Sequence, residues 1–224
     1  MLHRDSLGSG QMIRAGQLNL MTAGRGIAHS GESPVGHDRL LHGVQLWVAL
    51  PEAARHTAPG FAHHADLPAA GIGGFLATVF LGSLAGVRSP ARAFSEIVGA
   101  ELAAGGDGTG KIPLAAAHEH VIFTAAGSAV VAGTVLGPGR LIYLAAGREQ
   151  AEISAAAGSR MFLLGGVPLG EPLLMWWNLL ARTPQEIAAA TADWRAGRFG
   201  TVAGYDGEPL AAPPLDVARL IRRP

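Results

Sequence analysis

The sequence predicts an all-β fold, and three observations predict it. Short apolar runs recur between clusters of Gly, Pro and Ser, the clear helix signal comes only late, and one pattern returns at a fixed distance. The runs Met12–Met21, Val44–Leu50, Phe75–Leu81, His120–Ala125, Ala129–Val135, Leu141–Leu144 and Met161–Leu164 have strand length. Turn residues separate them at the spacing of sandwiches and barrels. The repeat matches Gly16, Leu18, Met21, Ala23, Gly24 and Arg25 to Gly139, Leu141, Leu144, Ala146, Gly147 and Arg148, 123 positions later. A pattern of this kind marks one structural unit used twice. With 224 residues the chain can form one large all-β domain or two small ones, with ample core either way.

Between the runs, the Ala-Gly-Ser of residues 126–128 predicts a hairpin turn, and residues 51–71, with Pro51, Pro59 and Pro68, predict a long loop joining two halves. Thr183-Pro184-Gln185-Glu186 combines an N-cap Thr, a Pro at the first helical position and a Glu at the third, which is a capping box. Ile187, Ala190 and Trp194 follow on one helical face, with Thr191 beside them, and that face should bury against the strands. The Gly- and Pro-rich tail from Gly204 should run extended over the surface.

Composition removes several function classes. Apolar residues make up 49% of the chain and charged residues 15%, the balance of a globular protein. Cations and anions number 17 each, and the arginines are scattered, so no basic stripe marks a nucleic-acid face. The cluster Arg219, Arg222 and Arg223 is too short to form one, and direct nucleic-acid binding is not expected. The absence of cysteine excludes disulfides, zinc–thiolate and iron–sulfur sites and a cysteine nucleophile, and fits a reducing compartment. Met1–Ser6 has no hydrophobic signal core. Val121–Gly139 is uncharged and long, but four glycines and Pro138 interrupt it, so no membrane span is expected. The expectation is a soluble, cytoplasmic protein.

Seven of the nine histidines precede residue 65: His3, His29, His37, His42, His56, His63 and His64. Clustered imidazoles suit iron, zinc, copper or nickel. His63 and His64 lie in an Ala/Pro stretch, where solvation is the expected state. His118 and His120 would face one side if a strand opens there, but Glu119 would point the other way. His29 is set apart by its context, following a tight turn built from Gly24 and Gly26 and a strand carrying Leu18, Leu20 and Met21. Its side chain should reach into a barrel lumen, and the second copy of the repeat, with Gln150, has no histidine nearby. Neither a Walker loop, a Gly-x-Gly-x-x-Gly after a strand nor a Gly-x-Ser-x-Gly elbow occurs, which removes kinase and hydrolase readings.

His3-Arg4-Asp5-Ser6-Leu7-Gly8, Met21–Ser30, Leu41–Val48, Gly165–Pro172 and Trp177-Asn178 closely resemble the pirin family, over nearly the whole chain. The resemblance implies two cupin (jelly-roll) β-barrels in tandem, the first incomplete at its N-terminus, with a short C-terminal helix at 184–196. It implies a partial first barrel over 1–60, a linker and the start of the second barrel over 61–110, and the second barrel over 111–224. It also implies iron in the first barrel alone, held by four ligands. Two of them belong to a His-x-His motif upstream of the point where this sequence begins. The resemblance therefore implies either a late start or a first barrel completed by a partner chain. His29 matches the third ligand; Gly31 occupies the position of the fourth, a glutamate, and Glu32 follows one residue later. The expected metal residues are thus His29 and Glu32. A site with fewer than three protein ligands holds iron or zinc poorly.

Three functions follow from the resemblance. The first is a regulator with a weakened iron site that works through a protein partner, a transcription factor or a metabolic enzyme. The second is a quercetin 2,3-dioxygenase-type oxidoreductase acting on a flavonol-like small molecule. The third is a degenerate relative without activity.

Overall fold

The computed structural model describes residues 1–34, 36, 41–216 and 220; His37, Arg219, Arg222 and Arg223 lie outside the described residues. Two compact units form, one from Met1–Ala15, Asn19–His63 and Leu169–Pro224, the other from Gly16–Leu18 and His64–Pro168. The first unit opens with β1 (Leu2–Asp5), β2 (Gly10–Met12), β3 (Leu18–Thr22), β4 (His29–Glu32) and β5 (Gly60–His64). β1 lies between β2 and β4 in a three-stranded sheet, and β3 pairs with β5. The expected single strand Met12–Met21 is therefore two strands, broken at Gly16, whose φ of 78° turns the chain. Residues 51–71, expected as a loop, contain β5 and part of a further strand.

The expected strand Val44–Leu50 does not form: residues 41–50 have no regular structure. Its alternating apolar residues satisfy strand propensity, but a strand also needs a ladder partner, and none lies alongside among the described residues. Leu41, Trp47 and Val48 are left exposed.

The second unit contains β6 (Ala69–Ile72), β7 (Phe75–Leu81), β8 (Ser83–Leu84), β9 (Val87–Arg88), β10 (Ile97–Ala104), β11 (Gly108–Pro113) and β12 (Glu119–Ala126). It continues with β13 (Ala129–Val131), β14 (Thr134–Leu136), β15 (Leu141–Leu144), β16 (Gln150–Ala155) and β17 (Arg160–Gly166). Ten of these form a six-stranded sheet, β15-β12-β17-β10-β7-β6, and a four-stranded sheet, β11-β16-β13-β14. Strand alternation sends Leu102, Ile122, Met161 and Leu163 from the first sheet and Ile112, Val131 and Ile153 from the second into one core, each 1% exposed or less. Full burial of each such side chain stabilises by about 1.5–3 kcal/mol.

The turn at 126–128 is not a hairpin, because β12 and β13 lie in different sheets; it is the corner where the chain changes layer. Ala129–Val135 folds into β13 and the start of β14. The repeat has a common local structure: Gly16 and Gly24 (φ 78° and 52°) bracket β3 as Gly139 and Gly147 (φ 75° and 96°) bracket β15.

The chain then returns to the first unit as β18 (Leu174–Trp176), β19 (Leu179–Ala181) and α1 (Pro184–Arg195). Position 110 falls inside β11, and residues 169–224 group with 1–15 and 19–63. The return is fastened by ions. Arg182 Nη2 donates to Leu50 O at 2.7 Å and to Glu171 Oε2 at 2.6 Å, and Arg55 Nη2 to Glu186 Oε1 at 2.8 Å.

α1 has the expected capping box: Thr183 Oγ1 accepts from Glu186 N at 3.2 Å, and Glu186 Oε2 accepts from Thr183 N at 3.2 Å. Ile187 and Thr191 are buried, and Ile187 packs with Leu174 and Ala181. Residues 205–216 form neither helix nor strand and are largely exposed. No helix among the described residues is long and apolar enough to cross a membrane.

Candidate metal centre

His29 opens β4, and the turn before it depends on glycine. Gly24, at φ 52°, would place a Cβ 2.1 Å from Thr57 O, and Gly26, at φ 127°, would place one 2.4 Å from the Phe199 ring. Arg25 N donates to Thr57 O at 3.0 Å and Ala28 N to Ser6 Oγ at 3.2 Å, which fixes the entry into β4. The antiparallel register sets Asp5 opposite His29 and His3 opposite Gly31. Directly opposed residues share a face, so His3, Asp5, His29 and Gly31 lie on one side of the pair and Arg4, Ser30 and Glu32 on the other.

On the first face His3 is buried. Its Nε2 lies 3.1 Å from Asp5 Oδ2, and its ring stacks on Phe61 at 4.3 Å and on His29 at 5.8 Å. Asp5 is fully buried, and Oδ1 accepts from Leu7 N at 2.9 Å and Ser9 N at 3.0 Å. Burial works against its charge, but the hydrogen bonds from His3, Ser9 and Leu7 outweigh that and hold the carboxyl below its ordinary value. His29 is exposed rather than enclosed in a lumen. Crowding by the neighbouring protein, then the charge of His3, push its pKa down, with Asp5 opposing. That shift favours the neutral imidazole, the form that ligates metal.

Glu32 lies on the opposite face. Its Oε1 accepts from Ser30 Oγ at 2.7 Å and pairs with Arg4 Nε at 3.3 Å. The structure does not bring His29 and Glu32 together. What it brings to His29 instead is the His3–Asp5 pair, two residues apart on β1 as a shared face requires, a signal the sequence carried without a role attached.

Tested against an iron centre, this donor set falls short. Both oxygens of Asp5 are engaged, His3 is tied to Asp5, and Glu32 is turned away. Among the described residues no three His, Cys, Asp or Glu side chains gather to hold an ion. His42 and His56 are exposed, and His63 Nδ1 lies 2.7 Å from Asn19 Oδ1. The expectation that His63 is simply solvated does not hold.

Comparison with known proteins places this arrangement in context. The family model described as Pirin matches residues 1–48, and that described as Pirin C-terminal cupin domain matches residues 99–200. A Pseudomonas aeruginosa protein named "Putative quercetin 2,3-dioxygenase" is 42% identical over 216 residues, which cover 96% of this chain and 68% of that protein. A pirin-like protein of Caulobacter vibrioides is 37% identical over 204 residues, covering 88% and 69%. Among solved structures, a quercetin 2,3-dioxygenase from Acinetobacter baumannii superposes with a TM-score of 0.92 at 38% identity, over 96% of this chain and 72% of that one.

Proposed function

Because the chain belongs to the pirin family, with its two cupin barrels, we propose that it works as a bicupin regulator whose first-barrel iron site is weakened. On this reading it acts in the cytoplasm through a protein partner, a transcription factor or a metabolic enzyme. The observation that carries the proposal is the donor set around His29. The position two residues beyond it is Gly31, and the nearest glutamate, Glu32, is committed to Ser30 and Arg4 on the other face. Among the four ligands that the resemblance implies, the glycine replaces the one carboxylate, so the site loses its anionic donor and is left with imidazoles alone, which weakens its hold on iron. Neutral net charge favours a protein partner over nucleic acid, and exposed Leu41, Trp47 and Val48 offer apolar surface for one.

A second reading, oxidative ring opening of a flavonol, draws support from the names of the relatives above. Dioxygen uptake separates the two. The chain is supplied with Fe(II) and quercetin in an oxygen-electrode cell, and the regulator reading expects no uptake above that of Fe(II) alone. Uptake that scales with protein and disappears in His29→Ala overturns it in favour of the dioxygenase.

A further inference from the structure

The second unit holds another pair of imidazoles. His118 and His120 flank Glu119 at the start of β12, two positions apart on extended chain, so both turn to the same side. They line a cavity of about 160 Å³ with Leu84, Val98, Leu114 and Leu163. Their ring centroids are 5.8 Å apart with the planes at 33°. His120 is 2% exposed, and in each ring Nδ1 is buried without a hydrogen-bond partner. A buried polar atom left unpaired costs about 1–3 kcal/mol. Two of them beside one small cavity call for an occupant that pairs them.

Two further features suit the same occupant. The sequence offers no carboxylate near this pair except Glu119, yet the fold brings up Glu96, whose Oε2 lies 3.9 Å from His118 Nε2. Its side chain is 82% exposed and free to rotate, while its backbone carbonyl is fixed by Val167 N at 3.1 Å. Opposite His120 on β17 stands Gly165, where a Cβ would come within 2.4 Å of His120 Cδ2. A glycine at that point makes the room in which the imidazole sits.

We propose that His118, His120 and Glu96 form a second metal site, in the second unit, for a first-row divalent ion of the zinc type. The two imidazoles are its fixed part. Among the described residues no three such side chains already meet at one point; Glu96, which stands at the Nε2 edge of His118, closes the site by rotating toward the unpaired Nδ1 atoms, and water fills the remaining position. The competing occupant is a water bridging the rings.

Cobalt(II) is the probe, because its visible d–d absorption intensifies in a four- or five-coordinate protein site and zinc displaces it. The chelator-stripped chain is titrated with Co(II), with folding of each variant checked by circular dichroism. The expected result is a visible band in the unsubstituted protein and in His29→Ala, abolished by zinc. His118→Ala should lose the band, and Glu96→Gln and Gly165→Ala should need more Co(II) to reach it. His120→Ala removes a buried side chain, so the weight falls on His118, which precedes the strand, and on exposed Glu96. No band in the unsubstituted protein, an unchanged band in His118→Ala, or its loss in His29→Ala overturns the proposal.

Discussion

Asp5→Ala removes the acceptor on which the His29 face is built. Its carboxylate, fully buried, receives Leu7 N at 2.9 Å, Ser9 N at 3.0 Å and His3 Nε2 at 3.1 Å. Hydrogen bonds to a charged group contribute about 1.5–3 kcal/mol each, and buried donors left behind add a desolvation cost. The three bonds share one carboxylate and are not additive, so a loss of about 3–5 kcal/mol is expected. Asp5→Asn keeps an oxygen for the two backbone donors but gives up the charge and the oxygen that faces His3 Nε2, at about 1–3 kcal/mol. The assay is urea unfolding followed by tryptophan fluorescence. All four tryptophans, Trp47, Trp176, Trp177 and Trp194, lie in the first unit, so the signal reports that unit alone. The midpoint should fall with the slope unchanged, and the Leu7 and Ser9 amides should exchange faster in Asp5→Ala than in Asp5→Asn. Equal midpoints for Asp5→Ala and the unsubstituted chain, or unchanged exchange at both amides, would refute the reasoning.

Further outcomes are checked in the same preparations. Ile187→Ala, at a fully buried position, should lower stability by about 2–5 kcal/mol in urea unfolding, and Thr183→Ala, which removes the N-cap, by about 1 kcal/mol. Hydrogen bonding to Glu52 N, then to Arg182, holds the carboxyl of Glu171 below its ordinary value, and bonding to Arg182 N does the same for Glu186. Depressed carboxyls stabilise above their unfolded value of 4.5 and lose that contribution as pH falls through the folded one. Thermal scans should therefore show the first unit weakening below that pH, with a shallower acid dependence in Arg182→Met. At Gly31 an added Cβ meets only Met1 Sδ, at 3.7 Å, so Gly31→Glu should fold normally. It should tighten iron binding, measured by equilibrium dialysis, only in a chain that also carries the two upstream histidines. No gain with all four ligands present would show the register to be wrong.

Where local chemistry decides the outcome, the sequence was readable. β7 and β15 have the bounds of their apolar runs, and the capping box at Thr183 places the start of α1. The repeat was legible because positive-φ turns demand glycine at Gly16, Gly24, Gly139 and Gly147. Features set by distant partners were not. Val44–Leu50 alternates like a strand and has no ladder to join, and the corner at 126–128 resembles a hairpin until the two sheets are known. Residues 51–71 carry three prolines that mask β5 and β6. In the candidate sites, His29 was visible from its turn, but the pairing of His3 with Asp5 depends on register and the approach of Glu96 to His118 on the fold. The face of Glu32 follows from strand alternation once β4 is known to include it.

The central claim is that the His29 site holds iron weakly, and iron retention tests it most directly. The chain is loaded with Fe(II) anaerobically, dialysed against metal-free buffer and assayed for iron beside His29→Ala. The account predicts the same residual iron in both, well below one ion per chain. One ion retained per chain and lost in His29→Ala would contradict it.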